Sequence, residues 1–579
     1  MKRSPAELQA RQYDVLIVGG GITGACLAFD ASLRGLTVAL IDKGDFGEAT
    51  SAASSKLLHG GLRYLQQLRF SKVRESARER IYFQNLAPHL THYVPFVVPT
   101  YRGLSKGKTL LDAGLLLYRI LCAGQARLLR DPAKRVPRGC RLAYPQVLAR
   151  IPGLASASLT GGRLFYESHM RSSERMTMAF VDSAARAGAV VANYIVAERF
   201  LVVGDRVVGV EATDRVSDSA GGESSADTST GSRPGAFEIR ASVVVNAAGP
   251  WIQRLNAQLE TRTVRPVITG VSKGTHIVTP ALTDGWAVAL PTRRPSQSVI
   301  DRGGRHVFII PWRGHSLIGT TYGPYHGDLD DLRPTAADAV ELIEEVNSAL
   351  GAGTLSLSDV RYAFAGLYPL VDEEIRPAVY QGTGDYRVVN HEEIDGVAGL
   401  FSVFGAKYTT ARLLAEHAVD RIVASLGKGA ASGRTHEVSL AAGNIPDLER
   451  FRDRQRRRHA GLPEATIDHL MNAYGTACEE VVSLAESADG LGEPLAPDHN
   501  VIAAEAIWAA RCEMACHLDD FVFRRSGLGT LGHPGGEALD RAALLLGAEL
   551  GWDPARRAAE LERVERRFPD YRGLESAPR

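Results

Sequence analysis

The chain has 579 residues, 45% of them apolar and 23% charged, the proportions of an ordinary globular protein. That excludes a disordered, collagen-like or coiled-coil chain and allows three or four structural units at about 150 residues each. With 67 Lys+Arg against 66 Asp+Glu the formal charge is +1, so no global basic field draws in nucleic acid.

Residues 1–13 are polar and do not read as a signal peptide, and no run of about 20 apolar residues is available to span a bilayer. "YDVLIVGG" reads as a buried strand, "GITGACLAFDASLRG" as a helix and "TVALIDKG" as a second strand, a βαβ unit. A helix is predicted around Val73–Leu86. "KGKTLLDAGLLLYRILCAG" (Lys106–Gly124) is too short to span a membrane. It reads either as an amphipathic helix at the headgroup boundary or as a buried helix. Residues 174–202 read as helix then strand. The polar stretch Asp214–Gly235 interrupts a hairpin and reads as a mobile surface loop.

"ASVVVNAAGPWI" resumes as a buried strand ending in small residues. Residues 265–330 hold several strand-like runs, followed by the helical "TAADAVELIEEVNSAL". "GLFSVFGAKYTTARLLAEHAVDRIVASL" gives strand, turn and helix. After Gly427 a short Gly/Ala/Ser linker leads to Arg-, Glu- and Ala-rich segments with helical spacing, predicted as a helical domain over 445–579. There the basic run Arg450–His459 reads as a solvated helix face or a contact for acidic lipid. The six cysteines form no CxxC pair and no zinc-ligand spacing, so no metal is expected and a reducing, cytoplasmic setting fits. Cys512 and Cys516, one helical turn apart, read as small buried apolar residues before any redox pair.

"GGGITGA" supplies G-x-G-x-x-G as Gly19, Gly21 and Gly24 between a predicted strand and helix. Gly19 permits the tight turn, Gly21 the approach of a pyrophosphate, and Gly24 close helix–strand packing. The helix N-terminus adds N–H groups and positive dipole. Asp42, 18 residues beyond Gly24 at the end of the second strand, is placed to hold ribose hydroxyls. The second strand end, Ala247-Ala248-Gly249, lets another backbone segment pass close to the cofactor. Both signals lie in one region interrupted by a substrate domain, which favours a bound flavin over exchangeable NAD. In "ATSAASSKLLHGGLRYLQ", Thr50, Ser51, Ser54 and Ser55 are candidate donors to cofactor oxygens, and Gly60 and Gly61 permit a backbone pass beside the flavin ring.

"GGGITGA", "ATSAASSKLLHGGLRYL", "APHL", "SKGTHIV", "IPW", "IGTTYG" and "SVFGAKYTTAR" stand in the order found in FAD-dependent glycerol-3-phosphate dehydrogenases, which the chain resembles nearly end to end. The resemblance implies an α/β fold of the D-amino-acid-oxidase and glutathione-reductase kind. An FAD-binding Rossmann-like domain (about 12–75, 165–262 and 360–430) is interleaved with a mixed-sheet substrate domain (about 76–164 and 263–359). It further implies oxidation of sn-glycerol 3-phosphate to dihydroxyacetone phosphate by hydride transfer to flavin N5. Electrons then go to quinone, or to oxygen in an oxidase branch. Peripheral attachment at the inner face of the cytoplasmic membrane is also implied, and a homodimer is one candidate assembly.

Arg63 and Tyr64 match residues lining the family's substrate pocket. His276 is the candidate base for the C2 hydroxyl, its pKa near the operating pH, or else a hydrogen-bonded strand histidine. Thr321 binds a substrate oxygen or caps a strand. Lys407 lies near the flavin pyrimidine edge and stabilises negative charge there, or caps local carbonyls. The candidate cofactor contacts are Gly19, Gly21, Ile22, Thr23, Gly24, Asp42, Lys43, Thr50, Ser51, Ser55, Lys56, Gly60, Gly61, Val196, Ala247, Ala248, Gly249, Trp251, Gly405, Lys407 and Thr409.

The resemblance also implies two phosphate-holding arginines where Tyr368 and Gly384 stand, and an aspartate where Tyr322 stands. Losing two hydrogen bonds to a charged group costs about 3–6 kcal/mol. Arg171, Arg361 and Arg387 are candidate replacements. Another polyol phosphate, an unphosphorylated hydroxy compound, an amino-acid substrate and a non-catalytic flavin sensor therefore stand as alternatives.

Overall fold

The computed structural model describes residues 1–65, 68–102, 108–154, 158–218, 235–259, 263–291, 306–371 and 385–568. The continuous apolar runs seen in sequence become strands covered on both faces. In the first sheet, β17 (Tyr386–Asn390), β18 (Leu400–Gly405), β10 (Phe237–Asn246), β1 (Tyr13–Val18), β2 (Val38–Ile41) and β7 (Val190–Ala192) lie side by side in that order. All neighbours are parallel except β17 and β18. The antiparallel hairpin β8 (Ile195–Val203) and β9 (Arg206–Asp214) attaches to the start of β10. Residues 219–234 of the expected surface loop lie outside the described residues.

The helix Ile22–Leu33 is apolar almost all round, and ten of its twelve residues are buried. It is wedged between the sheet and the helices Ser173–Arg186 and Ala411–Leu426.

The second sheet runs β15 (Gly323–Tyr325), β11 (Gly270–Pro280), β14 (His315–Gly319), β13 (His306–Trp312), β12 (Ala287–Pro291), β4 (Thr91–Tyr101), β6 (Leu159–Met170), β3 (Leu57–Leu58). Here β16 (Tyr362–Leu370) also pairs with β11, and β5 (Arg141–Leu142) with β6. The helix Ala336–Leu350 packs on this sheet behind a Thr335/Asp338 capping box.

From Leu448 onward the described chain is helical. This unit does not stand apart from the rest: buried ion pairs join Arg524 and Arg525 to Asp45, and a half-buried pair joins Glu513 to Arg175. On its helix Leu448–Arg458, Arg452, Arg456 and Arg458 are paired with Glu449, Asp468 and Glu479, as on a solvated face. The helix Lys108–Leu121 buries only Leu111 and exposes Leu116, Leu117 and Ile120, so it is not the buried helix that one reading of the sequence allowed. Among the described residues no helix is long and apolar enough to cross a membrane.

Candidate functional site

The nucleotide end is built by backbone economy. Gly19 has φ +112°, and a Cβ there would fall 2.6 Å from the Ala247 carbonyl oxygen, where β10 ends. A Cβ on Gly24 would lie 1.8 Å from the Gly19 oxygen, so the helix Ile22–Leu33 touches the turn that starts it. Gly21 caps that helix without a side chain and meets only Ser51 Oγ, at 3.2 Å. Ser51 Oγ accepts from the Ile22 N–H at 2.9 Å, and Thr23 follows in the same first turn. Asp42 directly follows β2, with one oxygen on the Gly20 N–H (2.6 Å) and the other on that of Gly44 (2.8 Å); burial pushes its pKa up to about 6. A glycine-floored turn, a helix N-terminus and a carboxylate beside them fit the pyrophosphate and ribose of FAD.

Around this turn, Ile195 N–H donates to the Asp42 carbonyl at 2.7 Å, which brings Val196 of β8 alongside. Ala247 N–H donates to the Val18 carbonyl at 2.9 Å, Ala248 N–H to Asn246 Oδ1 at 3.1 Å, and Gly249 follows with φ +55°. Lys43 and Trp251 sit at the rim: Lys43 Nζ stands 4.2 Å over the indole, and both side chains reach Asp330. The motif reading gave no sign of Asp330. Thr50 donates its hydroxyl to the Leu367 carbonyl.

The other end joins three segments far apart in sequence. Gly60 and Gly61 precede the helix Leu62–Leu65; a Cβ on Gly60 would fall 1.9 Å from the Tyr118 hydroxyl, and Gly61 has φ +83°. Gly60 N–H donates to Glu167 at 2.9 Å, itself paired with Arg80. Lys407, two residues beyond Gly405 at the end of β18, places Nζ 3.2 Å from the centroid of the buried Tyr64 ring. Thr409 Oγ1 accepts from the His59 N–H at 3.1 Å. His59 thus stands in the site with an exposed side chain. Sequence reasoning passed over it, although it opens the HGGLRYL element. The Arg63 side chain lies outside the described residues.

His276 lies on β11 opposite Phe364 of β16, with the two rings stacked at 5.2 Å and 16°. Its Nε2 shares a 2.8 Å hydrogen bond with Ser55 Oγ, while the buried Nδ1 has no protein partner. Gly319 leaves room for the ring, since a Cβ there would fall 2.2 Å from it. Burial, with the Lys56 charge adding to it, pushes the His276 pKa down to about 3, which corrects the expectation of a value near neutral pH. Thr321 Oγ1 accepts from the Thr275 N–H at 2.9 Å and so braces β11.

Lys56 is also corrected. Its ammonium is buried between the two Glu174 oxygens (2.8 and 2.9 Å) and Ser173 Oγ, so only its backbone is left for a cofactor. Tyr322 and Tyr368 meet edge-to-face, with centroids 5.8 Å apart. Gly384 lies outside the described residues. Arg361 and Arg387 are exposed, and Arg171 faces Arg452, Asp468 and Glu449 of the helical unit. Among the described residues no group of His, Cys, Asp or Glu is arranged to hold a metal, and the six cysteines are unpaired with one another.

Residues 14–421 match the family of FAD dependent oxidoreductases, and residues 433–557 match the C-terminal domain of alpha-glycerophosphate oxidase. A glycerol-3-phosphate dehydrogenase of Mycobacterium leprae is 34% identical, with 93% of this chain and 85% of that one aligned. One from Synechocystis is 32% identical, covering 91% and 90%. The crystal structure of the glycerol-3-phosphate dehydrogenase from Bacillus halodurans complexed with FAD superposes with a TM-score of 0.73 at 25% identity, over 97% of this chain and 95% of that one.

Proposed function

The chain belongs to the FAD-dependent oxidoreductases of the glycerol-3-phosphate dehydrogenase family, and on that premise we propose that it oxidises the secondary alcohol of sn-glycerol 3-phosphate to dihydroxyacetone phosphate. FAD, when bound, supplies a ring that accepts hydride at N5. The observation that carries the reading is the convergence of ATSAASSKLLHGGLRYL, SKGTHIV and FGAKYTT on one site through the Tyr64–Lys407, His59–Thr409 and Ser55–His276 contacts.

Lys407 holds a cation where negative charge develops, the largest single lever open to this site. For His276 to take the C2 hydroxyl proton at Nδ1, Nε2 must carry the ring proton and donate it to Ser55 Oγ. A basicity near 3 is poor for this task by itself, and a phosphate dianion beside the ring raises it. Thr321 keeps β11 in place while its hydroxyl proton remains to be donated to a substrate oxygen. Arg63 retains the orienting role that HGGLRYL assigns it.

Electrons pass on to a membrane quinone in this reading. Leu116 (56% exposed) and Ile120 (60%), with the exposed Arg119, Arg127, Arg135 and Arg138 close in sequence, supply an apolar face with a basic surround for the acidic cytoplasmic leaflet.

The Tyr322–Tyr368 pair favours one second reading, a different polyol phosphate or an unphosphorylated hydroxy compound held by phenols. Anaerobic mixing separates the two. Glycerol 3-phosphate is expected to bleach the yellow flavin of the wild type, and much more slowly that of Lys407→Met. Bleaching by other polyols alone, with glycerol 3-phosphate activity gained in Tyr368→Arg, supports the second reading. A flavin that no alcohol in a broad panel bleaches overturns both.

A further inference from the structure

The loop leaving β2 carries two aspartates with different partners. Asp42 faces the glycine turn. Asp45, three residues on, turns into the protein with its side chain 0% exposed and meets the C-terminal helical unit. Its Oδ2 accepts from Arg524 Nε (2.5 Å) and Arg525 Nη1 (2.7 Å); its Oδ1 accepts from Arg525 Nη2 (2.8 Å) and Asn193 Nδ2 (3.0 Å). The Arg525 fork is therefore bidentate, and its Nε donates to the Glu513 carbonyl at 3.0 Å. Burial alone would raise the Asp45 pKa, but Arg525 and Arg524 hold it below the usual carboxylate range, so the clamp stays charged.

The same loop is held a second time. Asp42 N–H donates to the Ala192 carbonyl, and the Gly44 carbonyl accepts from the Tyr194 N–H at 3.0 Å. Asn193 Nδ2 also donates to the Met514 carbonyl (2.9 Å), and the Tyr194 hydroxyl to Asp520 Oδ1 (2.6 Å). These bonds join the loop to the end of β7 and the connection after it, and tie both Asp45 and that connection to residues 514–525. A carboxylate that must meet ribose hydroxyls to within a few tenths of an ångström is thus supported from a region some 480 residues away in sequence.

We propose that Asp45, Arg524 and Arg525 form a positioning clamp through which the C-terminal helical unit sets the Asp42 loop and so the retention of FAD. The inference rests on the placing of Asp42 at the FAD ribose. It assigns the helical unit a part in cofactor binding without any contact between that unit and the flavin.

The test is the FAD dissociation constant of deflavinated protein, read by fluorescence titration with no substrate present. Asp45→Asn and Arg525→Met are expected to raise it about tenfold or more. Arg525→Lys keeps the charge but loses the fork, and should fall between them and the wild type. Arg175→Met cuts the Arg175–Glu513 tie (2.7 Å) between the same two bodies without touching the loop. It should change thermal stability but leave FAD affinity within about twofold, the scatter of a neutral substitution. Equal loss of FAD in Arg175→Met overturns the clamp in favour of general docking.

If the buried-charge variants fail to fold, Arg525→Lys and Tyr194→Phe decide the matter: no rise in either overturns the proposal. Asp42→Ala separates the premise from the inference. If Asp42→Ala binds FAD normally, the ribose assignment fails. If it binds weakly while Asp45→Asn binds normally, the clamp alone fails.

Discussion

His169 offers a clean measurement of what a buried imidazole costs in acid. It lies on β6 with 0% exposure, edge-on to His92 at 5.1 Å, and neither ring nitrogen has a hydrogen-bond partner. Burial, with the charges of Lys56 and Arg171 adding to it, pushes its pKa from 6.5 down to about 3. Between those values the unfolded chain binds a proton that the folded protein refuses. Stability present above pH 6.5 is therefore lost as pH falls toward 3. At pH 5 the interval is about 1.5 pH units, or about 2 kcal/mol at 1.36 kcal/mol per unit.

The perturbation is His169→Leu, and the assay is urea unfolding followed by tryptophan fluorescence at pH 7 and pH 5. The wild type should lose about 2 kcal/mol more than the variant between the two conditions. His89 and His276, also near 3, act in the same sense, and Asp42 and Asp520, raised to about 6, act against it. These contributions drop out of the difference between the two proteins. His92, held well below its usual range chiefly by burial, contributes to both proteins alike and drops out too. Equal losses in both proteins would refute the reasoning.

Three further outcomes are expected. Gly24→Ala drives a methyl into the Gly19 carbonyl, 1.8 Å away, so the purified protein should be colourless; a yellow variant with wild-type flavin content overturns the packing argument. Glu174→Gln leaves the Lys56 ammonium buried without its counter-charge and should cost about 3–5 kcal/mol in unfolding free energy. Because burial already lowers the Lys56 pKa, that loss should shrink as pH rises and the amine sheds its proton; a pH-independent loss points elsewhere. Leu116→Glu with Ile120→Glu should weaken co-sedimentation with anionic vesicles and leave flavin bleaching by substrate unchanged, since both side chains are exposed. Unaltered sedimentation removes this helix from any membrane role.

What the sequence determined was short in range. Gly19, Gly21 and Gly24 fix a strand–turn–helix through backbone geometry that one local window contains. The apolar runs of β1, β2 and β10 declare themselves because a strand covered on both faces needs no polar residue. The order of HGGLRYL, SKGTHIV and FGAKYTT was equally legible, and with it the cofactor.

The tertiary structure alone decided which charges were spoken for. Lys56 looked like a cofactor contact until Glu174, 118 residues later, took its ammonium. His276 looked like a base near neutral pH until Phe364, Ser55 and the charge of Lys56 closed around it. Asp45 carried no signal at all, because its arginine partners lie 479 and 480 residues away. A pKa and a hydrogen-bond partner depend on dielectric surroundings and on distances across the fold, and neither is a property of a residue's neighbours in the chain.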